Sequence, residues 1–339
     1  MSTPPPPPQQ APQQYAPGNG APPPYVPPQQ QHSQQRHPAH HGQPGQPGQP
    51  PQQPLPDAGY SSPIPVVRTH LGHAIASEWT KIRTVRSTVW TLVLTVLLTV
   101  GIGLAFAAAL STEDYVGMPL LGGGFFGLMF GQLCVITLGV LVITSEYGTG
   151  MIRTSLTACP QRARVLLAKA LVFFLLAFSV TLLATGLTAL IHSSMLSGQV
   201  VPTYDYGDPY MAGSIENGEV VATSGHWLGA TVGASLYVGL LGLLALAVGT
   251  LLRHSAGAIT TMLGVVLVPL IAALFMVGDS LSDFRDKLIE YSPLNGLASL
   301  FRIPMIGETA TGWPMLGLLA GVTAAALIAA FARLTTSDV

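Results

Sequence analysis

Past residue 87 the chain contains six long stretches without a single Asp, Glu, Lys or Arg: 88–112, 115–145, 170–204, 220–252, 254–278 and 309–332. Each holds an apolar block of about 20 residues, the length a helix needs to cross a bilayer. A buried helix of a soluble protein could imitate one such block, but six in one chain require a membrane. Spans are expected near 88–110, 121–143, 167–190, 228–251, 257–277 and 313–332. Only 9 % of residues are charged, against about 25 % in soluble domains. That excludes an ordinary soluble enzyme of two α/β domains. Lys and Arg number 14 against 15 Asp and Glu, with no sizeable basic cluster, so no nucleic-acid partner is expected. The expected fold is all-α: a polytopic membrane protein with six transmembrane helices, whose solvent partner is the lipid bilayer.

The first 66 residues read as a separate, disordered Pro/Gln-rich tail, and 67–339 as the membrane domain. Of 29 prolines, 21 lie at or before Pro65, and Arg36 and Asp57 are the tail's only formal charges. So few apolar side chains cannot offset the entropy of ordering. Pro4 to Pro8 favour the extended polyproline conformation. The tail lacks the apolar core of a signal peptide. Cys134 and Cys159 stand apart from each other and from any Cys/His cluster, which gives neither a zinc site nor a disulfide framework.

Charge bias sets the expected orientation. With the amino terminus inside, ten basic residues flank the inner ends of the spans: Arg68, Lys81, Arg83, Arg86, Arg153, Arg162, Arg164, Lys169, Arg253 and Arg333. Three flank the outer ends: Arg285, Lys287 and Arg302. The positive-inside rule then puts both termini in the cytoplasm, in a plasma membrane. Gly123, Gly127 and Gly131, with Gly139 on the same stripe, form a small-residue ridge suited to close helix packing. Gly317, Gly321, Ala325 and Ala329 form another, and Gly229 with Gly233 a third. Such ridges serve packing within the chain or across a dimer. Gln132 either lines a polar cavity or bonds a neighbouring helix. Pro269 is expected to kink the fifth span.

No ionisable residue falls at the middle of a span, whereas an ion-coupled carrier needs one there. The chain also lacks a phosphate-binding loop, a nucleophile elbow and a His-Glu-x-x-His metal motif. It therefore reads as no enzyme, with no catalytic residue, no metal site and no cofactor of its own. Energy has to come from another chain.

Two segments carry the functional signal. In 70–87, Leu71, Ile75, Ile82, Val85 and Val89 recur at helical spacing, with Glu78, Lys81, Arg83 and Arg86 on other faces and Trp79 as an aromatic anchor. This predicts an amphipathic interfacial helix. The second segment is the connection 144–164. Gly148 and Gly150 mark a turn, Met151 to Leu156 a short helix, and Pro160 its end; Arg162, Arg164 and Lys169 meet the headgroups at the next span. Glu146 is placed to pair with Arg153.

Glu146-Tyr147-Gly148-Thr149-Gly150-Met151-Ile152-Arg153-Thr154, then Pro160-Gln161-Arg162, resembles the type-2 family of bacterial ABC transporter permeases. Ser77-Glu78-Trp79-Thr80-Lys81-Ile82-Arg83 is similar to the start of such chains. The resemblance covers 67–339. It implies a permease subunit of an ATP-driven exporter, homodimeric or heterodimeric, that docks separate ABC ATPase subunits through the 144–164 loop and the interfacial helix. ATP and Mg would be bound by the partner ATPase. It also implies outer re-entrant helices within 279–312, where Asp283 to Tyr291 and Leu294 to Phe301 read as two short helices. Residues 192–227, with Asp205, Asp208, Glu216 and Glu219, read as a solvated outer loop. The competing reading is a non-transporting membrane anchor or assembly factor that recruits partners through the tail.

Overall fold

The computed structural model describes residues 70–151, 154, 161–206, 208, 211, 213–306 and 311–336. The Pro/Gln-rich tail, Ile152, Arg153, Cys159 and Pro160 lie outside them. Among the described residues the fold is all-α apart from one two-stranded hairpin. Nine helices follow in order: α1 (Leu71–Thr84), α2 (Arg86–Leu110), α3 (Gly124–Gly148), α4 (Arg162–Met195), α5 (Ser224–Leu252), α6 (Ser255–Phe275), α7 (Ser282–Glu290), α8 (Pro293–Leu300) and α9 (Trp313–Thr336). Six of them, α2 to α6 and α9, are long and apolar enough to cross a membrane.

α5 is the axial helix. Of its apolar window 67 % is buried, against 22 % for α2 and α6 and 17 % for α9. It packs on α3, α4, α6 and α9, while α2 packs on α3 and α4. A uniformly apolar helix has no polar face to turn outward, so lipid takes the sides that protein leaves uncovered. Two buried threonines, Thr95 on α2 and Thr188 on α4, satisfy their hydroxyls within their own helices, each donating to the carbonyl four residues back at 2.9 Å.

The first glycine ridge is an intrachain device. A Cβ at Gly127 would strike the Thr99 carbonyl, one at Gly131 the Thr99 hydroxyl, and one at Gly123 the rings of His192 and Phe106. α2 therefore lies against α3 at backbone distance. Gly139 does not share this partner: eight residues beyond Gly131 the stripe has rotated by about 80° at 3.6 residues per turn, and Gly139 meets the Gly242 carbonyl on α5. Gly229 abuts the Leu300 carbonyl of α8, within a π-helical turn (Gly229–Gly233) of α5. Gly317 and Gly321 on α9, by contrast, meet nothing. Pro269 stays inside a continuous α6.

Local signals fix the joints. Val85, extended at φ −81° and ψ 109°, separates α1 from α2. Left-handed Arg253 ends α5, and the His254 ring accepts the Gly257 amide at 3.0 Å to start α6. The two short helices expected in 279–312 form as α7 and α8. α8 is enclosed by the rest of the bundle; Leu294 to Leu300 are all buried. It is held by the Tyr237 hydroxyl donating to the Pro293 carbonyl at 3.0 Å and by the Met305 amide donating to Asn295 Oδ1 at 2.8 Å. The expected loop 192–227 holds a hairpin, Ile215–Glu216 against Glu219–Val220, over a small core of Leu120, Leu196, Val201, Met211 and Val220.

Gly127→Val should cost about 1–3 kcal/mol, the usual penalty of overpacking, read as a lower thermal midpoint of the purified chain. Gly321→Leu, which meets no atom of its own chain, should leave that midpoint unchanged.

Candidate functional site

Three helix ends meet at four charges. On α1 the stripe Leu71, Ile75, Glu78, Ile82 faces the bundle, so Glu78 sits among apolar side chains and is 4 % exposed. On α3, Ile143 and Glu146 share a buried face. On α4, Val165, Lys169, Val172 and Phe173 do the same, and Lys169 is 1 % exposed. Lys169 Nζ donates to Glu78 Oε2 at 2.6 Å and to Glu146 Oε1 at 2.8 Å. Lys81 Nζ donates to Glu78 Oε1 at 2.8 Å and to Glu146 Oε1 at 2.9 Å. Two ammoniums and two carboxylates thus form a neutral ring. Glu146 Oε2 is buried and has no hydrogen-bond partner.

Several sequence expectations change here. Glu78 lies on the inward face of α1, not a polar one. Lys169 does not reach the headgroups but sits in the ion ring. Glu146 is not in a loop: α3 continues through Tyr147 to Gly148, and its carboxylate is taken by Lys81 and Lys169. Arg153, its expected partner, lies outside the described residues, as do Ile152 and Pro160. Gly148 is helical; the reversal is made by Thr149 and by Gly150, whose φ of 72° suits glycine. Tyr147 packs against the core, and the Arg253 guanidinium stands 5.4 Å above its ring centroid. Arg162 donates to the Leu334 carbonyl at 3.1 Å, binding the start of α4 to the end of α9. Thr154 is exposed. Trp79 and Arg83 are exposed on the outer side of α1.

Gln132 does neither thing expected of it. It is fully buried, and its amide donates to the Met129 carbonyl of its own helix at 3.2 Å. Other polar contacts between spans join Thr185 of α4 to Ser235 of α5, 3.2 Å between hydroxyls, and the His192 ring of α4 to the Gly103 carbonyl of α2 at 2.9 Å. Among the described residues no group of three His, Cys, Asp or Glu side chains could hold a metal.

These contacts gather the start of α2, the end of α3, the start of α4 and the ends of α5 and α9 at one pole of the bundle. The basic residues Arg86, Arg162, Arg164, Lys169, Arg253 and Arg333 all belong to that pole. The connection 149–161 leaves and re-enters the bundle there, directly from the helices that carry Glu146 and Lys169. No family model matches the chain, and no curated protein matches it.

The ring's energetics follow from burial. Taking one charge from such a set leaves its partners uncompensated, which costs about 3–5 kcal/mol. Lys169→Ala should therefore detach α1, seen as faster amide hydrogen exchange across 71–84. Replacing Glu78, Glu146, Lys81 and Lys169 together by apolar residues should restore much of the loss. For Lys81, burial lowers the pKa, but the hydrogen bonds and charges of Glu78 and Glu146 outweigh it and raise the value above the ordinary 10.5. A raised lysine pKa stabilises the fold fully below about pH 10.5 and ceases to do so as pH climbs through the folded value. Hydrogen exchange of 71–84, or the fluorescence of Trp79, should report release of α1 in that alkaline range. In Lys81→Met the pH-dependent step should be absent.

Proposed function

We propose that the chain is the membrane-spanning permease subunit of an ATP-driven ABC exporter. In this reading it lies in the plasma membrane with both termini in the cytoplasm. It dimerises, and it docks a separate ABC ATPase through the 144–164 connection. ATP and Mg are bound and used by that ATPase. The observation that carries the reading is the ion ring at the base of the connection. A push on 149–161 acts directly on the helix ends bearing Glu146 and Lys169, and through Glu78 and Lys81 on α1. The connection, α3, α4 and α1 thus move as one lever. The resemblance of 146–154 and 77–83 to type-2 permeases supports the same assignment. So does the charge distribution: among the described residues the Asp, Glu, Lys and Arg side chains of the spans all lie near this pole, and none lies at mid-length. Ion coupling at mid-membrane has no group to use.

The test is reconstitution in liposomes with a soluble ATPase that co-purifies with the chain and carries a phosphate-binding loop. ATP hydrolysis should rise on reconstitution, and Gly150→Trp or Arg153→Glu should abolish the rise while leaving the chain folded. Removing residues 1–65 should leave it largely intact. Substrate movement by the purified chain on an ion gradient alone would overturn the proposal, and loss of all activity with the tail would favour the anchor.

A further inference from the structure

At the pole opposite the ion ring, α6 ends and the chain turns back. Met276 leaves the helix, Gly278 takes a φ of 112°, and α7 then packs against α6. The sequence changes character at this corner. Leu274, Phe275 and Val277 are 78 %, 80 % and 84 % exposed, and Asp279, Asp283, Arg285, Asp286, Lys287 and Glu290 follow directly. Large exposed apolar side chains at the end of a span belong in hydrocarbon, and a run of charges belongs in water. The headgroup plane of a bilayer therefore passes through the α6–α7 corner.

A cavity of about 530 Å³ lies in that corner. Leu270, Ala273 and Leu274 of α6, Val277 just beyond it and Ile289 of α7 form its apolar wall, and Arg285 of α7 supplies its charge. Leu274 and Val277 both line the cavity and are among the most exposed side chains of the chain, so it is open on the side that faces lipid.

The chemistry of an occupant follows from Arg285 and its neighbours. Arg285 lies one turn before Ile289, on the face of α7 turned to the cavity. Its side chain is 38 % exposed and so open to a ligand. Its Nε donates to Asp286 Oδ1 at 3.1 Å. A pair this exposed is worth about 0–1 kcal/mol, and it leaves the Nη end of the guanidinium for another acceptor. A guanidinium at headgroup depth over an apolar groove matches a phosphate that carries an acyl chain. The charges around it set the character of the head. Asp279, Asp283, Asp286 and Glu290 outnumber Arg285 and Lys287 in this segment. A net anionic head would enter a field of its own sign, whereas a zwitterionic head gives its phosphate to Arg285 and its ammonium to the acids.

We infer that the α6–α7 corner binds a phospholipid with a zwitterionic head, its phosphate held by Arg285 and one acyl chain lying along Leu270 and Leu274. The site requires that the chain sit in a bilayer. It requires nothing of the permease reading, nor of which leaflet the corner faces.

The test uses the full chain in dodecyl maltoside micelles, which contain no phosphate. The probe is a phosphatidylcholine with a diazirine near the carbonyl end of one acyl chain, and the labelled peptides are mapped by mass spectrometry. Labelling of 270–289 is compared with that of 316–331, the exposed stretch of α9, which reports unspecific lipid contact. The corner should label saturably and well above 316–331. Unlabelled phosphatidylcholine and phosphatidylethanolamine should displace the probe, and phosphatidylglycerol and diacylglycerol should do so far more weakly. Arg285→Ala should weaken labelling about ten-fold, the worth of one hydrogen bond to a charged group, with the thermal midpoint unchanged. Leu274→Trp, which narrows the groove from its exposed edge, should also reduce labelling of the corner and leave 316–331 as it was. Labelling no stronger than at 316–331, displacement by diacylglycerol as effective as by phosphatidylcholine (an acyl groove that reads no head), preference for phosphatidylglycerol, or labelling unchanged in Arg285→Ala would overturn the inference. No ATPase enters the assay, so its failure would leave the exporter proposal standing.

Discussion

Lys169 carries a full charge into a place where water does not follow it, and the geometry of one pole of the bundle depends on how that charge is met. A buried ion costs several kcal/mol to desolvate, and the cost is recovered only where opposite charges and hydrogen bonds surround it closely. Glu78 and Glu146 supply this from two different helices, and Lys81 balances the second carboxylate. The requirement is collective. α1 cannot lift away without stranding Lys169 against one carboxylate, and α3 cannot slide without breaking two contacts at Glu146 Oε1. Dispersion contacts elsewhere in the bundle are numerous and individually weak. The ring concentrates specificity in a few atoms and so determines where α1 rests.

The opposite pole is closed by other means. α8 is buried from Leu294 to Leu300 and pinned by neutral hydrogen bonds from Tyr237 and to Asn295. The Asn217-Gly218 hairpin covers a small apolar core. Its turn residues both have positive φ, 54° and 87°, the conformation of the two-residue turns that match strand twist. No ionic bond joins the helices there among the described residues. The bundle is thus asymmetric along its axis: its helices are tied by neutral hydrogen bonds at one end and by a shared set of charges at the other.

How far this could be read from the sequence depended on whether the signal was local. The spans were legible because apolar length is counted along the chain; α7 and α8 were legible because their patterns are short and self-contained. The hairpin was also written locally, in Asn217-Gly218, but the polar loop around it masked that pair. The ion ring was half legible. Glu78 falls at helical spacing with Leu71, Ile75 and Ile82, and Lys169 with Val165 and Val172, so each charge stands on an apolar stripe and must find a partner. Which partners they find depends on three helices meeting, and spacing within one helix cannot state that. Glu146 was misplaced because the polar run Thr144-Ser145-Glu146 looked like the end of a span, whereas α3 runs on to Gly148 with Tyr147 packed on the core.

The glycine ridges show the same limit in another form. Gly123-x-x-x-Gly127-x-x-x-Gly131 and Gly317-x-x-x-Gly321 are equivalent as patterns, yet the first is consumed by α2 and the second faces away from its own chain. Spacing records that a backbone can be approached, not by what. The charged pole differs because charge carries sign as well as position. Two lysines and two glutamates can close on one another. Dispersion in the mid-bundle gives a ligand or a force nothing discrete to act on. At the ionic pole a displacement of one side chain changes the balance of all four, so that is where an outside signal, mechanical or chemical, has purchase on the membrane helices.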